Sequence, residues 1–330
     1  IFLIIFYFCS VELQANVRMG IISKTKLSGE REFGWRMKIA AENLGWEVFL
    51  DETEGKDLKE VKGLDWVVCI ISKNENFHPE CPNYLVVFQP QNYLDENGNL
   101  LSCYQKYDGY LLTIKERESF KKWAVLQEKK PFFIPFYPTV QPIDYKKVEL
   151  KDIMTMMPIW GDRVRNMKYR KLYKSLDQSG FVKFYGSNQE TNVIEKGYMG
   201  TLPFDGVSVI DVLQQHGISL IIHSNHHNRE GIPSARIFEA AAASTVIISD
   251  QNAFVKKHFG DSVFYIDTAL SAEEIYKQIE NHIKAIRLYP EKALEMAKRS
   301  YQINKKEFLM TDQLLRLQAM HEEMKYEREE

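Results

Sequence analysis

Residues Asn228–Asp250 read N-R-E-G-I-P-S-A-R-I-F-E-A-A-A-A-S-T-V-I-I-S-D: an irregular polar loop, the start of a helix and a short buried strand. Ser234 stands at the mouth of the helix expected over Ser234–Ala243, and Arg236 and Glu239 follow it, three residues apart. Residues three apart share a helix face, and the first helical turn has N–H groups without intrahelical partners. One face therefore presents a guanidinium, a carboxylate and the positive end of a helix dipole. That set suits a diphosphate joined to a ribose. Arg236 grips phosphate oxygens as a fork, the helix start adds N–H donors, and Glu239 accepts from ribose hydroxyls. As a solvated surface pair, Arg236 and Glu239 are worth only a few tenths of a kcal/mol. The unbroken run of alanines and the apolar strand behind them imply a packed helix with the pair at its exposed mouth, and that context favours ligand binding.

Other residues fall where a doubly wound sheet would bring them to the same place. Gly161-Asp162-Arg163 follows an expected strand over Asp152–Met157, and a glycine loop after such a strand lets backbone amides approach phosphate, with Arg163 adding charge. Tyr185 and Gly186 end the next strand, where a base or ribose edge can rest. Gly200-Thr201-Leu202-Pro203-Phe204 leads into the following helix and offers backbone groups to a nucleobase. Ser28-Gly29 and the Gln89–Asn92 turn, with Gln91, sit at strand carboxyl ends and would face the same cleft from the opposite side, although ordinary turn chemistry is slightly favoured for each. His223, His226 and His227 cluster after a strand without an Asp/Glu-x-x-His arrangement. They are expected to line the cleft or cap the strand, with no metal. The sequence contains no Asp-x-Asp pair, Walker lysine loop, G-x-G-x-x-G or G-x-S-x-G elbow, which argues against kinase, dehydrogenase and hydrolase readings.

The elements that must position these residues alternate in type, the pattern of α/β folds with parallel sheets. Strands are expected at Val17–Ser23, Glu47–Leu50, Trp66–Ser72, Tyr84–Phe88, Gly109–Thr113 and Phe132–Ile134, with helices over Phe33–Asn43 and Lys115–Glu128. Three prolines within residues 135–142 then mark a linker. The alternation restarts with strands at Asp152–Met157, Val182–Tyr185, Ile218–His223, Thr245–Ser249 and Val263–Ile266. Helices are expected at Tyr169–Asp177 and Val207–Gln215, and the end of the chain is helical over Ala272–Ile286, Glu291–Tyr301 and from Lys305 onward. Two Rossmann-like doubly wound domains facing a cleft result: residues 17–140, residues 141–310, which carry Arg236 and Glu239, and a helical tail over 311–330.

Length and composition agree. The 330 residues suffice for two domains, with 45% hydrophobic and 27% charged residues. A formal net charge of −2 gives no electrostatic case for nucleic acid. Cys9, Cys69, Cys81 and Cys103 form no C-x-x-C pair; a Cys81–Cys103 bridge is left open, with reduced thiols the expectation. Residues 1–16 are apolar and too short to span a bilayer, and are read as a leader or an artefact of where the chain starts. A cytosolic donor argues for the cytoplasm, with possible membrane contact, while the apolar start hints at export.

Two doubly wound domains, a proline-rich hinge and G-x-P-S-A-R-I-F-E-A-A-A resemble the GT-B glycosyltransferases of the group 1 and CgeB types. The resemblance is specific over Asp152–Asp267 and architectural over the first domain. It implies that residues 17–140 form the acceptor domain, with Ser28, Gly29 and Gln91 on the acceptor side, and 141–310 the donor domain, that Glu239 holds the donor ribose, that Arg236 lies at the donor phosphates, and that Arg163 is a basic residue of the first donor-domain loop. It further implies transfer of a sugar from a nucleotide-diphosphate donor to an acceptor hydroxyl of a glycan, lipid or surface polysaccharide, without a metal or cofactor and with retention of anomeric configuration. The chain departs from the family twice. Glu230 and Glu239 enclose eight residues where many group 1 enzymes have seven between two glutamates, and Ser244 stands where a glycine is usual. A nucleotide-sugar epimerase of the same architecture and a non-catalytic glycan- or partner-binding relative are the alternatives.

Overall fold

The computed structural model describes residues 16–23, 29–70, 77–88, 93–113, 132–156, 166–186 and 193–329. Its first sheet contains β1 (Arg18–Ile22), β2 (Glu47–Asp51), β3 (Trp66–Cys69), β4 (Asn83–Val87), β5 (Gly109–Leu112) and β6 (Phe132–Pro135), in the order β2-β1-β3-β4-β5-β6. Every pairing is parallel. The second sheet contains β7 (Asp152–Met156), β8 (Val182–Tyr185), β9 (Gly217–Ile221), β10 (Val246–Asp250) and β11 (Phe264–Ile266), ordered β11-β10-β9-β7-β8 and again parallel. Parallel strands are covered on both faces, so their sequences run apolar without alternation. Trp66–Cys69, Asn83–Val87 and Val246–Asp250 are buried at every position.

Among the described residues the helices are α1 (Gly29–Asn43), α2 (Met167–Ser179), α3 (Ser208–His216), α4 (Asn225–Glu230), α5 (Ala235–Ala242), α6 (Ala253–Phe259), α7 (Ala272–Leu288), α8 (Pro290–Glu307) and α9 (Met310–Glu329). Their ends follow local chemistry. Asn166 caps α2 by accepting from the Lys168 N–H, Ser271 and Glu274 form a reciprocal capping box at α7, and Pro290 opens α8. The expected helix over Lys115–Glu128 lies outside the described residues. Two short helices, α4 and α6, stand where sequence patterning gave a polar loop and no element. α4 has no apolar face to betray it. Ser224 starts it by accepting from the His227 N–H at 3.1 Å, and Gly231 ends it at φ 65°.

At the α3–β9 junction Gly217 has φ 80°, and a Cβ there would lie 2.0 Å from the Glu149 carbonyl oxygen. Only glycine fits a turn pressed so closely on the neighbouring chain, and that turn lays β9 beside β7.

The proline-containing linker is not an exposed tether. Phe136, Thr139 and Val140 are fully buried, and Phe136 meets Phe33 edge-on at 6.1 Å. Nor is α9 a free tail. Met310, Leu314 and Leu317 join the first domain's core with Val17, Phe33, Met37 and Trp66. His321 lies 4.6 Å from the Trp66 ring, and its Nδ1 and the Tyr84 hydroxyl are 2.6 Å apart. The chain therefore crosses between domains twice, once near residues 136–142 and once near 308–313. Cys69, Cys81 and Cys103 are free thiols. Among the described residues no helix is long and apolar enough to cross a membrane.

Candidate functional site

In an open parallel sheet, ligands bind beyond the strands' carboxyl ends where the winding reverses. In the second sheet the reversal falls at β7, with β8 on one side and β9 on the other. The crevice there opens between Met156 and the residues after Ile221. α5 begins beside it. Ile237, Phe238, Ala240 and Ala241 of α5 pack against Ile221, Ile247 and Phe254, while Ala242 and Ala243 face Met154, Val209 and Leu213. The alanines hold the helix close to the sheet, and the remaining face carries Arg236 and Glu239 into one small cavity with Met154, Met156 and Leu220. Its open volume is only about 10 Å³, on the scale of a single water.

Ser234 caps α5 and is 6% exposed; its hydroxyl has no hydrogen-bond partner among the described residues. Arg236 is half-buried, and its Nη1 reaches the Met156 carbonyl at 3.4 Å, at the carboxyl end of β7. Burial pulls its pKa below the ordinary value, against the field of Glu239. The sequence placed Arg236 and Glu239 at an exposed mouth. Glu239 is instead 7% exposed and faces the other domain, where it accepts from Arg36 Nη2 at 2.7 Å.

Arg36 comes from α1 and is 1% exposed. Its Nη2 also donates to Glu32 Oε1 at 2.8 Å, with Nε at 3.2 Å. Burial opposes the guanidinium's charge, yet Glu239 and then Glu32 outweigh it and hold the pKa above the ordinary value. Burial, reinforced by Glu239, pushes the Glu32 carboxyl up against the pull of Arg36. Glu32 Oε2 accepts from the Gly206 N–H at 3.1 Å, and the Gly206 carbonyl accepts from Gln141 Nε2 at 3.0 Å. Gly206 has φ 82°, and a Cβ there would sit 3.2 Å from the Arg36 backbone nitrogen. The two domains are therefore pressed together at this seam.

Not all the expected donor residues meet. Tyr185 has its hydroxyl 2.9 Å from His216 Nε2. His216 ends α3 at the amino edge of the sheet, immediately before β9, so the Tyr185 side chain runs away from the crevice. The Gly186 N–H donates to the Gly200 carbonyl at 2.8 Å and its own carbonyl accepts from the Tyr198 hydroxyl at 2.9 Å. Gly186 thus has its backbone groups engaged locally. Gly161, Arg163, Ser28 and Gln91 lie outside the described residues. Gly29 opens α1 next to β1, where the first sheet reverses, and space around it is open.

His223 caps the strand as one of its two expected roles required. It follows β9, is fully buried, and sets Nδ1 2.6 Å from Asp250 Oδ1 while its N–H donates to Oδ2 at 2.9 Å. Asn228 Nδ2 donates to the same Oδ2 at 2.7 Å. Burial raises the Asp250 pKa, but His223 and these hydrogen bonds outweigh it and leave it below the ordinary value. The network ties the ends of β9 and β10 beneath α5. Sequence reasoning missed this pair, and it missed Glu32 and Arg36.

Residues 163–319 match a family described as glycosyl transferase-like. About nine-tenths of the chain superposes on solved GT-B structures. An alpha-glucosyltransferase in complex with UDP and a 13-mer DNA containing a HMU base has a TM-score of 0.61 at 11% identity, covering 91% of this chain and 98% of that one. This chain has the fold of the GT-B glycosyltransferases, and its residues 163–319 match the glycosyl transferase-like family. HepE from Anabaena, solved with UDP-glucose, gives a TM-score of 0.55 at 9% identity over 92% of this chain and 99% of its own. TarM from S. aureus gives 0.49 at 10% identity over 78% of this chain, and the GT-B chain described here spans 55% of TarM's length. These matches do not single out the CgeB-type branch. No curated protein matches this GT-B chain in sequence.

Proposed function

We propose that the protein transfers a sugar from a nucleotide-diphosphate donor to an acceptor hydroxyl, with the donor held on the second domain. The observation that carries this reading is the convergence of Ser234, Arg236 and Glu239 at the start of α5, beside the carboxyl ends of β7 and β9. The α5 N–H groups, the Ser234 hydroxyl and the Arg236 guanidinium take the diphosphate, and Glu239 takes the ribose hydroxyls. Negative charge grows on the leaving diphosphate during transfer. Fixed donors aimed at that charge stabilise the transition state more than the ground state, without a metal or other cofactor. Solved relatives of the same fold carry UDP or UDP-glucose, which makes a uridine nucleotide the first probe.

The acceptor in this reading is a glycan or lipid-linked hydroxyl rather than nucleic acid, given the net charge of −2. Reaction takes place in the cytoplasm, at the membrane surface where the acceptor is lipid-linked, and retains anomeric configuration. The test is incubation of the full chain with UDP-, GDP- and ADP-sugars, with and without oligosaccharide acceptors. Acceptor-dependent release of nucleoside diphosphate is the expected result. A folded protein that binds none of the donors, or that isomerises a donor without acceptor, overturns it.

A further inference from the structure

The two oxygens of the Glu239 carboxylate have different surroundings. Oε1 accepts from Arg36 Nη2 at 2.7 Å, a donor that belongs to the first domain. Oε2 accepts no hydrogen bond from the described residues, and Glu239 lines the crevice cavity with Arg236 and Met156. Arg36 is in turn held in place. Its Nε and Nη2 donate to Glu32 Oε1, Glu32 Oε2 accepts from the Gly206 N–H, and the Gly206 carbonyl accepts from Gln141. The series from Gln141 through Gly206, Glu32 and Arg36 to Glu239 begins and ends on the second domain and passes through α1 of the first. Stability is a poor account of this arrangement. Ion pairs taken out of water recover little more than their desolvation cost, and apolar side chains of similar size would join the domains as well. What the series does supply is direction. A glutamate has three rotatable bonds, and a carboxylate that must settle on ribose hydroxyls from many orientations loses affinity in doing so. A guanidinium fixed by Glu32 pins one oxygen of Glu239 and leaves the other.

We propose that Arg36 is a positioning residue for the donor site: given that Glu239 takes the ribose, on which this rests, the first domain fixes Oε1 so that Oε2 is presented to the ribose hydroxyls. Arg36 itself touches no part of the donor. Its loss therefore falls on one group of the ligand. The diphosphate keeps the α5 N–H groups, Ser234 and Arg236, while the ribose meets a carboxylate free to turn. The signature is a change in discrimination between a ribonucleotide and the same nucleotide without its ribose hydroxyls, over and above any change in affinity common to both.

The test titrates the full chain, Arg36→Gln and Glu239→Gln by calorimetry with UDP, GDP and ADP, and with the dideoxy form of whichever binds most tightly, which lacks both ribose hydroxyls. The parent should prefer the ribonucleotide by roughly tenfold, the worth of a hydrogen bond to a charged group, and Glu239→Gln should lose that preference. Arg36→Gln should weaken the ribonucleotide by roughly tenfold and leave the dideoxy form nearly unchanged, so that its preference falls toward that of Glu239→Gln. An Arg36→Gln protein that weakens both nucleotides equally, or keeps the parent's preference while Glu239→Gln loses it, overturns the positioning role and leaves the Glu239 assignment standing. A parent without the preference, a Glu239→Gln protein that retains it, or a parent that binds none of the three nucleotides overturns the Glu239 assignment and the positioning role with it. If Arg36→Gln does not fold, Arg36→Lys replaces it. One ammonium cannot span Glu32 and Glu239 as the fork does, so its preference must lie below the parent's, and an unchanged preference overturns the role.

Discussion

Replacing Ser244 by glycine should make the protein more stable. Ser244 lies in the turn between α5 and β10 with φ 59°, in the left-handed region, and is 2% exposed. For a residue with a Cβ that conformation costs roughly 1–2 kcal/mol. The Ser244 hydroxyl is also buried without a hydrogen-bond partner among the described residues, a penalty of about 1–3 kcal/mol. Glycine removes both. Against this stand the extra freedom of glycine in the unfolded chain, about 0.5–1 kcal/mol, and the lost burial of one carbon, about 0.8 kcal/mol. The balance is a gain of roughly 0–4 kcal/mol, centred near 2. Urea or thermal denaturation reads it, a melting temperature rising by roughly 2–4 °C per kcal/mol for domains of 150–250 residues. Ser244→Ala separates the contributions, since it deletes the hydroxyl and keeps the strained Cβ; it should recover the hydroxyl's roughly 1–3 kcal/mol and come within about 1 kcal/mol of glycine. A glycine variant less stable than the parent refutes the strain argument. The same reasoning explains why glycine is usual at this turn in the family the sequence resembles: the helix must reverse sharply into a buried strand, and any side chain resists it.

Three further outcomes follow from the geometry. Arg236→Ala and Glu239→Ala should each weaken nucleotide-diphosphate binding by about 1.5–3 kcal/mol, the worth of a hydrogen bond to a charged group. Circular dichroism should meanwhile report a folded chain, because Arg36 keeps Glu32 when Glu239 is gone. Gly217→Ala should abolish soluble expression, its Cβ meeting the Glu149 oxygen at 2.0 Å, while Gly29→Ala, with open space around it, should be tolerated. Asp250 titrates below its ordinary 3.8 in the folded protein. It therefore adds stability that is complete above that value and lost as pH falls through the folded pKa. Comparing urea midpoints across pH should show Asp250→Asn less stable than the parent at neutral pH and the gap closing in acid; a gap independent of pH contradicts the network drawn around His223.

How much of this was legible in the sequence depended on whether the signal was local. Both sheets were, because a parallel strand buried on two faces must be a short apolar run, as in Trp-Val-Val-Cys at β3 or Val-Ile-Ile-Ser-Asp at β10. The start of α5 was legible for the same reason, its alanines announcing close packing. Arg36 was not. Glu32 and Arg36 stand four apart on α1, a spacing that reads equally as a solvated helix pair. Only the docking of Gly206 and Glu239 from the other domain buries it. Tyr185 failed in the opposite direction: its position at a strand's carboxyl end was right, but a long side chain can run back along the sheet, and His216 draws it there. The prolines of 135–142 marked a break in regular structure correctly, yet they say nothing about burial, which the second crossing by residues 308–313 imposes.

That double crossing also decides which relative motions the two domains have. Where the chain passes between domains, the Tyr137 N–H donates to Gln313 Oε1 and its carbonyl accepts from Gln313 Nε2 at 3.2 Å, while the Met310 N–H donates to the Val140 carbonyl at 3.0 Å. Two strands of chain so joined resist sliding and leave rotation about the crossing as the easier motion. Tyr137 then extends the crossing into the second domain, its ring 6.1 Å from Phe238 and 5.5 Å from Phe308, with Phe238 and Phe308 themselves 5.3 Å apart. Phe238 immediately precedes Glu239 on α5. The helix that offers a carboxylate to Arg36 at the seam is thus the one whose neighbouring residue is embedded at the pivot. A rotation there need not deform α5. It carries the helix as a rigid piece, which a short alanine helix packed on three strands and α8 is well suited to be.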